Sequence, residues 1–498
     1  MRRPLVAAVA AVAAVLLVAG CRRQERAAAT AAVHLPKGDV VWLEDPAARA
    51  DPTLDSELSR VGAVGLLLPA GTLGAAAGPR ALEALPAPPK PFEHTPVVLV
   101  LRPGEGLAEA LTGSDGPSAE PLADAAASVL ARTIAAGTYG RVVGVHLDFP
   151  FAPRAAARYA ALVLRLRRGL PPGTFVSISV GALPSGEEDR KKVAPLFQAA
   201  DALVAVVFGP EPRADPSAMD ALQRPWWAAY DTRVIGELLG RDGEPRATVP
   251  GRLVEALSGN PHFEFENDLS VNDSNVSAFT FTARAAGRVD GMDLSSGDRV
   301  AFRLPAISEM LFQLGSNLAG KRHALGRAMI FEGATEAERV FDLAAFEDVL
   351  LGRSLAPNLS ANVKPAGRGA IAVDLVNRSH HASVVSRVDN WVEVDVSPAH
   401  PVEVQPGGFD RYEVYDRAGR PVTPGRASTV RLFETLIAPL ETVTPARLVV
   451  RGTLPPGCCR YRIHAVSAAG PEVATDWTEP PLPPTPEPKK PAPTAKRK

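Results

Sequence analysis

Cysteine is scarce. The 498 residues carry three, too few for a disulfide framework. Cys21 closes an N-terminal apolar run, which leaves only the adjacent Cys458 and Cys459. These two form either a vicinal disulfide in an oxidising compartment or a pair of buried thiols. Charge of one sign is lacking too. Fifty-four Lys+Arg against 55 Asp+Glu leave a formal net charge of −1. No basic excess and no nucleic-acid motif is present, so no nucleic-acid partner is expected. No GxGxxG or Walker loop follows any strand-like segment, and no cofactor is implied. HExxH and CxxC are absent, and His380-His381 lacks the spacing of a structural zinc site. Residues 291–297 (GMDLSSG) are not GxSxG, so a serine-hydrolase elbow is unsupported. What remains is ordinary globular composition, 46% hydrophobic and 22% charged, with length for more than one domain. Forty-eight prolines and 41 glycines imply many turns.

The N-terminus reads as an export signal. Arg2 and Arg3 precede an uncharged apolar run over residues 4–20, which ends Val18-Ala19-Gly20-Cys21. Small residues before a cysteine suit a lipoprotein signal peptidase. Residues 1–21 are therefore expected to be a lipoprotein signal peptide with Cys21 as the lipidated residue, and 22–38 a tether. An uncleaved anchor or an ordinary signal peptide is the alternative, but the run is marginal for a span of about 20 residues. Acyl chains on one residue would anchor it firmly, each buried CH₂ adding about 0.8 kcal/mol. Arg22 follows the cysteine, where an aspartate would favour inner-membrane retention. The expected site is the outer membrane, facing the periplasm or the outside.

From residue 39 the chain alternates strand and helix signals. DVVWLE (39–44), AVGLLL (63–68), PVVLVL (96–101), RVVGVHLDFP (141–150), FVSISV (175–180) and ALVAVVF (202–208) read as six buried strands. Between them, Leu54, Leu58 and Val61, then Tyr159, Leu162, Val163 and Leu166, mark single helical faces. Asp51-Pro52 reads as a helix start, 81–85 as a short helix, and 122–136 as a helix capped by Gly137. Residues 185–188 have capping-box spacing, and Pro195 should weaken or kink the helix that follows. Apolar strands alternating with one-faced helices mean a parallel sheet covered on both sides. Less regular strands near 226–230, 279–283 and 300–303 favour closure over a doubly wound open sheet. The expected fold is α/β, a (β/α)8 TIM-type barrel over 39–304, followed by a C-terminal antiparallel β-sandwich domain. Residues 305–355 read as a helical connector. From 369 the period changes to two, and 370–377, 391–396, 411–416, 447–451 and 461–465 read as strands of a sandwich over 356–478, with about seven strands at most. The Pro/Lys-rich residues 479–498 read as a disordered tail.

The fourth strand signal carries the chemistry. Gly144, His146 and Asp148 share one face of it, and Val143, Val145 and Leu147 the other. The first face would point into the barrel, with Asp148 nearest the C-terminal rim, where barrel enzymes act. Asp148 is a candidate catalytic carboxylate, or else binds backbone amides of the next loop. His146 is a candidate substrate-binding group, or else a satisfied core histidine. Glycoside hydrolysis generally needs a second carboxyl. Glu44 and Asp45 after the first strand, Asp231 and Glu237 after the seventh, and Glu264 and Glu266 are the candidates, with Glu44 and Glu266 foremost. Residues 263–282 pack Asn267, Asp268, Asn272, Asp273 and Asn275 together, which suits sugar hydroxyls or simply a turn-rich loop. Trp226, Trp227, Tyr230, Asp231 and Asn267 are the candidate substrate-binding residues beside His146. The tryptophans would serve as a stacking platform or as core. A metal-assisted hydrolase built on His146 and Asp148 is a third reading.

GVHLDFPF (144–151), followed by ARYAALVLRLRRGLPPGTFVSISV (157–180), resembles an uncharacterised bacterial lipoprotein family, a domain of unknown function. VAFRLP (300–305) and AVDLVNRS (372–379) fit the same resemblance, which spans most of residues 39–379. It implies a glycosidase-like barrel with a C-terminal β domain. More distantly, the fourth strand is similar to that of chitinase-type barrels, where Asp-x-Glu closes the strand. The aspartate maps to Asp148, but the glutamate position is Pro150, which cannot protonate a glycosidic oxygen. The expected function is a membrane-anchored lipoprotein whose barrel binds or hydrolyses envelope or extracellular polysaccharide. The alternative is a non-catalytic envelope binding or assembly protein.

Overall fold

The structure is a computed structural model that describes residues 33–74, 82–104, 106–107, 111, 119–149, 153–210, 213–240, 242–251, 253–258, 260, 262–267, 276–331, 341–367, 369–397, 399–451 and 459–480. Cys21, the signal run, Pro150, Asp268, Asn272, Asp273, Asn275, Cys458 and the tail from 481 lie outside the described residues. The chain divides into two compact units, the first holding the barrel and the second the β domain.

Eight strands close the barrel. They are β1 (Val40–Leu43), β2 (Gly65–Leu73), β3 (Phe92–Pro103), β4 (Gly140–Leu147), β5 (Phe175–Val180), β6 (Ala202–Phe208), β7 (Trp226–Asp231) and β8 (Ala324–Phe331). Each pairs in parallel with the next, and β8 pairs back onto β1, Val40 opposite Ala328. Helices Leu54–Arg60, Ala119–Ala136, Ala156–Gly169, Glu187–Ala199, Pro216–Ala221, Ile307–Ser316 and Leu343–Leu350 accompany them.

The period of two along each strand explains the core. Val40 and Trp42, Val98 and Val100, Ala202 and Val204, Trp227 and Ala229, Ala328 and Ile330 meet in one buried cluster with Leu67 and Phe175. That is the inside of the ring, filled by side chains. The alternate residues, such as Leu99, Leu147, Ile178 and Tyr230, are buried too and face the helical layer. Gly144 of β4 faces the ring interior, and a Cβ there would come within 2.6 Å of the Phe175 ring. Glycine at this point is what lets phenylalanine fill the centre.

Several sequence expectations need correction. The helix expected over 81–85 does not form among the described residues: Leu82–Ala84 is a strand antiparallel to the end of β2. The segment is too short for a stable helix. Gly71 lets it approach, since a Cβ there would meet Glu83 O at 2.4 Å. The helix Glu187–Ala199 runs through Pro195, and its N-cap is Gly186 with no side-chain bond, so the capping box does not form. The Asp51 carboxylate bonds Thr53, ahead of a helix that begins at Leu54. The last barrel strand is not among 279–283 or 300–303. Arg299–Pro305 pairs antiparallel with Ile235–Leu239, and Val276–Ala283 belongs to the same separate sheet. Arg299–Pro305 alternates buried and more exposed positions over most of its length, as a one-sided antiparallel strand does, and Val276–Ala283 is buried over only part of its length, whereas barrel strands are apolar on both faces. The eighth strand, Ala324–Phe331, lies inside the stretch read as a helical connector, so the barrel runs past 304. Two glycines facing each other at the start of the pairing, Gly38 and Gly326, help to explain why it was hidden. Gly326 has φ +158 and approaches the backbone of Gly38 so closely that a Cβ would sit 2.0 Å from its oxygen.

The second unit is an antiparallel sandwich. One sheet orders Leu359–Pro365, Ala370–Asn377, Thr442–Arg451 and His400–Gln405. The other orders Arg411–Tyr415, Thr429–Phe433, Trp391–Asp395, Tyr461–Val466 and Glu472–Ala474. Val373, Leu375 and Leu448 from the first meet Val392, Val394, Val430 and Ile463 from the second in a single core. Nine strands replace the expected seven. Two of the four not anticipated contain proline (Pro365, Pro401), which weakens a strand signal and is tolerated at sheet edges. Cys459 is disulfide-bonded, with its partner outside the described residues.

Candidate active site at the barrel mouth

The inward face of each strand can be followed one step past the packed core. After Val40 and Trp42 comes Glu44; after Val98 and Val100, Arg102. After Gly144 and His146 comes Asp148; after Phe175 and Ser177, Ser179; after Trp227 and Ala229, Asp231. Five strands thus deliver a polar side chain at the same C-terminal level. Backbone bonds fix two of these positions: Glu44 N–H donates to Phe331 O at 2.9 Å, and Asp148 N–H to Leu101 O at 2.9 Å.

The polar groups form one network. Arg233, just beyond β7, clamps Asp231 through Nε at 2.8 Å and Nη2 at 2.6 Å, and its own backbone N–H donates to the same carboxylate at 3.0 Å. The same guanidinium reaches Glu44 Oε2 at 3.1 Å. Arg102 pairs with that oxygen from the other side and also donates to Glu44 O. Burial pushes the Glu44 carboxyl above its ordinary range, against the pull of Arg233 and Arg102; the nearby charges of Asp148 and Asp231 add to the rise. One guanidinium spans Glu44 and Asp231, so their oxygens lie within about 8 Å of each other. Gly209, at the end of β6, leaves room for Asp231: a Cβ there would lie 2.6 Å from the Asp231 Cβ.

Asp148 is partly exposed and accepts from Ser179 Oγ at 2.7 Å. His146 is fully buried below it, with Nδ1 2.9 Å from Ser177 Oγ and Nε2 2.9 Å from Ser179 Oγ. Its ring meets Trp42 edge-on at 4.8 Å. Burial drives the imidazole down to about 4, although the Asp148 carboxylate works the other way. Both ring nitrogens are engaged, so His146 offers neither a substrate nor a metal a free position, and the metal reading built on it is set aside. Among the described residues no group of three His, Cys, Asp or Glu is placed to hold a metal ion.

Of the residues singled out from sequence, Asp148, Glu44 and Asp231 come together at the mouth. Trp227 lies deeper, in the barrel interior against Phe175 at 6.0 Å, and cannot stack on a ligand at the rim. Trp226 and Tyr230 fall on the opposite face of β7; both are fully buried, and the Tyr230 hydroxyl donates to Gln313 O in the helical layer at 3.2 Å. Alternation alone separates them from the site. Glu266 and Asn267 are exposed at the end of the strand Phe263–Asn267, and no bond among the described residues ties either to the mouth network. Asp45 caps the short helix after β1 through Ala47 N–H at 2.7 Å. Glu237 sits within an antiparallel strand opposite Ala301. Sequence reasoning missed Arg102, Arg233, Ser177 and Ser179. Three of them, Arg102, Ser177 and Ser179, were legible from the same parity that marked Asp148.

No protein-family model matches the chain, and no curated protein does. Solved structures similar to it include the spore cortex-lytic enzyme SleL of Bacillus cereus, at 12% identity over 64% of this chain and 74% of that one, TM-score 0.38. Another is a class V chitinase from Pseudomonas fluorescens Pf-5, at 15% identity over 64% of this chain and 99% of that one, TM-score 0.37. A chitinase from Bacteroides thetaiotaomicron matches at 9% identity over 64% of this chain and 97% of that one, TM-score 0.31. Scores below 0.5 mark loose likenesses, and the reading of the site rests on its own geometry.

Proposed function

We propose that the barrel mouth binds a glycan and that Glu44 and Asp148 are the two carboxyls that act on its glycosidic bond. The observation that carries this reading is the pairing at one rim of two carboxyls in opposite settings. Glu44 is buried and holds its proton to a higher pH than an ordinary glutamate. Asp148 is partly exposed and accepts a hydroxyl hydrogen bond. Such separation of settings is how acid and base roles are divided between two carboxyls. Glu44 would protonate the leaving oxygen, and Asp148 would face the developing positive charge or activate water. On this reading the barrel would belong to an exported lipoprotein lipidated at Cys21 and held at the outer membrane, where envelope and extracellular polysaccharides would be within reach.

A second reading is favoured by Arg102 and Arg233. They hold Glu44 and Asp231 in ion pairs, and a mouth neutralised in this way suits binding without hydrolysis. The test is a screen of the purified protein against envelope and extracellular polysaccharides, scoring bound material and released reducing ends. Hydrolysis abolished by Asp148→Asn and by Glu44→Gln supports the enzyme. Equal turnover by wild type and Asp148→Asn removes Asp148 from the chemistry. Binding without released ends supports the second reading.

A further inference from the structure

We infer that Ser177, His146 and Ser179 form a one-way hydrogen-bond chain that positions Asp148, with the His146 proton on Nε2. The direction follows from counting hydrogens. An ionised carboxylate only accepts, so the single hydroxyl hydrogen of Ser179 goes to Asp148 Oδ1, 2.7 Å away. Ser179 Oγ therefore meets His146 Nε2, 2.9 Å away, as an acceptor, and Nε2 carries hydrogen. A neutral ring then has a bare lone pair on Nδ1, so Ser177 Oγ, at 2.9 Å, must donate to it. Burial keeps the ring neutral across the physiological range, which excludes the doubly protonated ring that would reverse the Ser177 link.

The chain has a mechanical consequence. His146 and Ser177 are closed in by the core, so the hydroxyl of Ser179 has one low-energy orientation, and it points at Asp148. One carboxylate oxygen is thereby fixed, and no donor among the described residues meets the other. A satisfied core histidine would need only two partners of any polarity. This one has partners whose order matters, and the order ends on the group assigned to the chemistry. The serines and the histidine are positioning residues, a role that rests on the proposed function of Asp148.

Nitrogen NMR of the full chain, labelled at its nine histidines, reads the direction without any substrate. The wild-type spectrum at neutral pH is expected to show a His146 ring with Nε2 protonated and Nδ1 bare; a proton on Nδ1 overturns the chain. Ser179→Ala removes the acceptor at Nε2 and is expected to move the proton toward Nδ1, where Ser177 can accept it. Ser177→Ala is expected to leave it on Nε2. An unchanged tautomer in Ser179→Ala also overturns the chain. In the glycan screen, Ser179→Ala is expected to lower kcat about tenfold with KM unchanged, and His146→Gln, whose amide can donate to Ser179, to retain most activity. Ser179→Ala turning over within twofold of wild type overturns the positioning role while leaving the glycan reading intact. Absence of turnover in wild type removes the hydrolytic reading of Asp148, and the tautomer then decides the chain by itself.

Discussion

Acid should unfold this protein partly through one imidazole. In the unfolded chain His146 takes up a proton near its ordinary 6.5; in the folded barrel it does so only near 4, chiefly because burial penalises the charged ring. Above 6.5 the ring is neutral in both states and its contribution is fully present. Between 6.5 and 4 the unfolded state binds more protons, so stability falls as pH falls through that window. A displacement of this size corresponds to about 3 kcal/mol, a large share of the ~5–15 kcal/mol by which a domain is stable. His146→Gln keeps an amide for Ser177 and Ser179 and removes the titration. Urea unfolding of both proteins at pH 7 and pH 4 should show the wild type losing about 3 kcal/mol more than the variant over that interval. Every other titrating group is common to the two, so its effect cancels. Equal losses would mean that the ring is solvated or protonated in the fold, and the closed interior around it would have to be abandoned.

Two substitutions probe the surroundings. Gly144→Ala drives a methyl to within 2.6 Å of the Phe175 ring and should cost about 1–3 kcal/mol in urea unfolding; adding Phe175→Leu should recover part of it, and strictly additive costs would show that the two do not meet. Arg233→Met strands the buried Asp231 carboxylate and should cost about 3 kcal/mol, with much of that restored by Asp231→Leu, whereas a neutral Arg233→Met would show that the ion pair is solvated.

The architecture was legible because its strands are apolar on both faces. DVVWLE, PVVLVL and ALVAVVF admit few other readings, and the helices between them carry single stripes such as Tyr159, Leu162, Val163 and Leu166, all buried as expected. The eighth strand was not legible. ALGRAMIF (Ala324–Phe331) contains Gly326 and Arg327, and nearly a hundred residues of insertion separate it from β7. Arg327 looks wrong for a barrel strand until Asp39 is seen to pair with it, at the end of the strand away from the mouth. A charge whose partner lies 288 residues away cannot be discounted from sequence alone. Five sandwich strands were found, while Leu359–Pro365, His400–Gln405, Thr429–Phe433 and Glu472–Ala474 were not, two of them carrying a proline, Pro365 and Pro401.

The site was half legible, and the dividing line is physical. Parity along a strand is a local property, so Asp148 could be assigned to the inner face from five residues of sequence. The same parity, extended from 40 and 42 to 44, from 98 and 100 to 102, from 175 and 177 to 179 and from 227 and 229 to 231, yields the other four members. What it cannot yield is which acid pairs with which base. Arg102 and Arg233 converge on Glu44 from strands on either side of β1, and only ring closure makes those strands neighbours across the mouth. The aromatic residues show the same limit in reverse. Trp226, Trp227 and Tyr230 suggested a sugar platform by type, yet parity assigns Trp226 and Tyr230 to the helical layer, and depth assigns Trp227 to the core. Residue type proposed a chemistry that position withdrew. Position instead supplied a histidine held by two serines and an acid held by two arginines. That is a mouth whose polar groups are fixed before any ligand arrives, as a preorganised site requires.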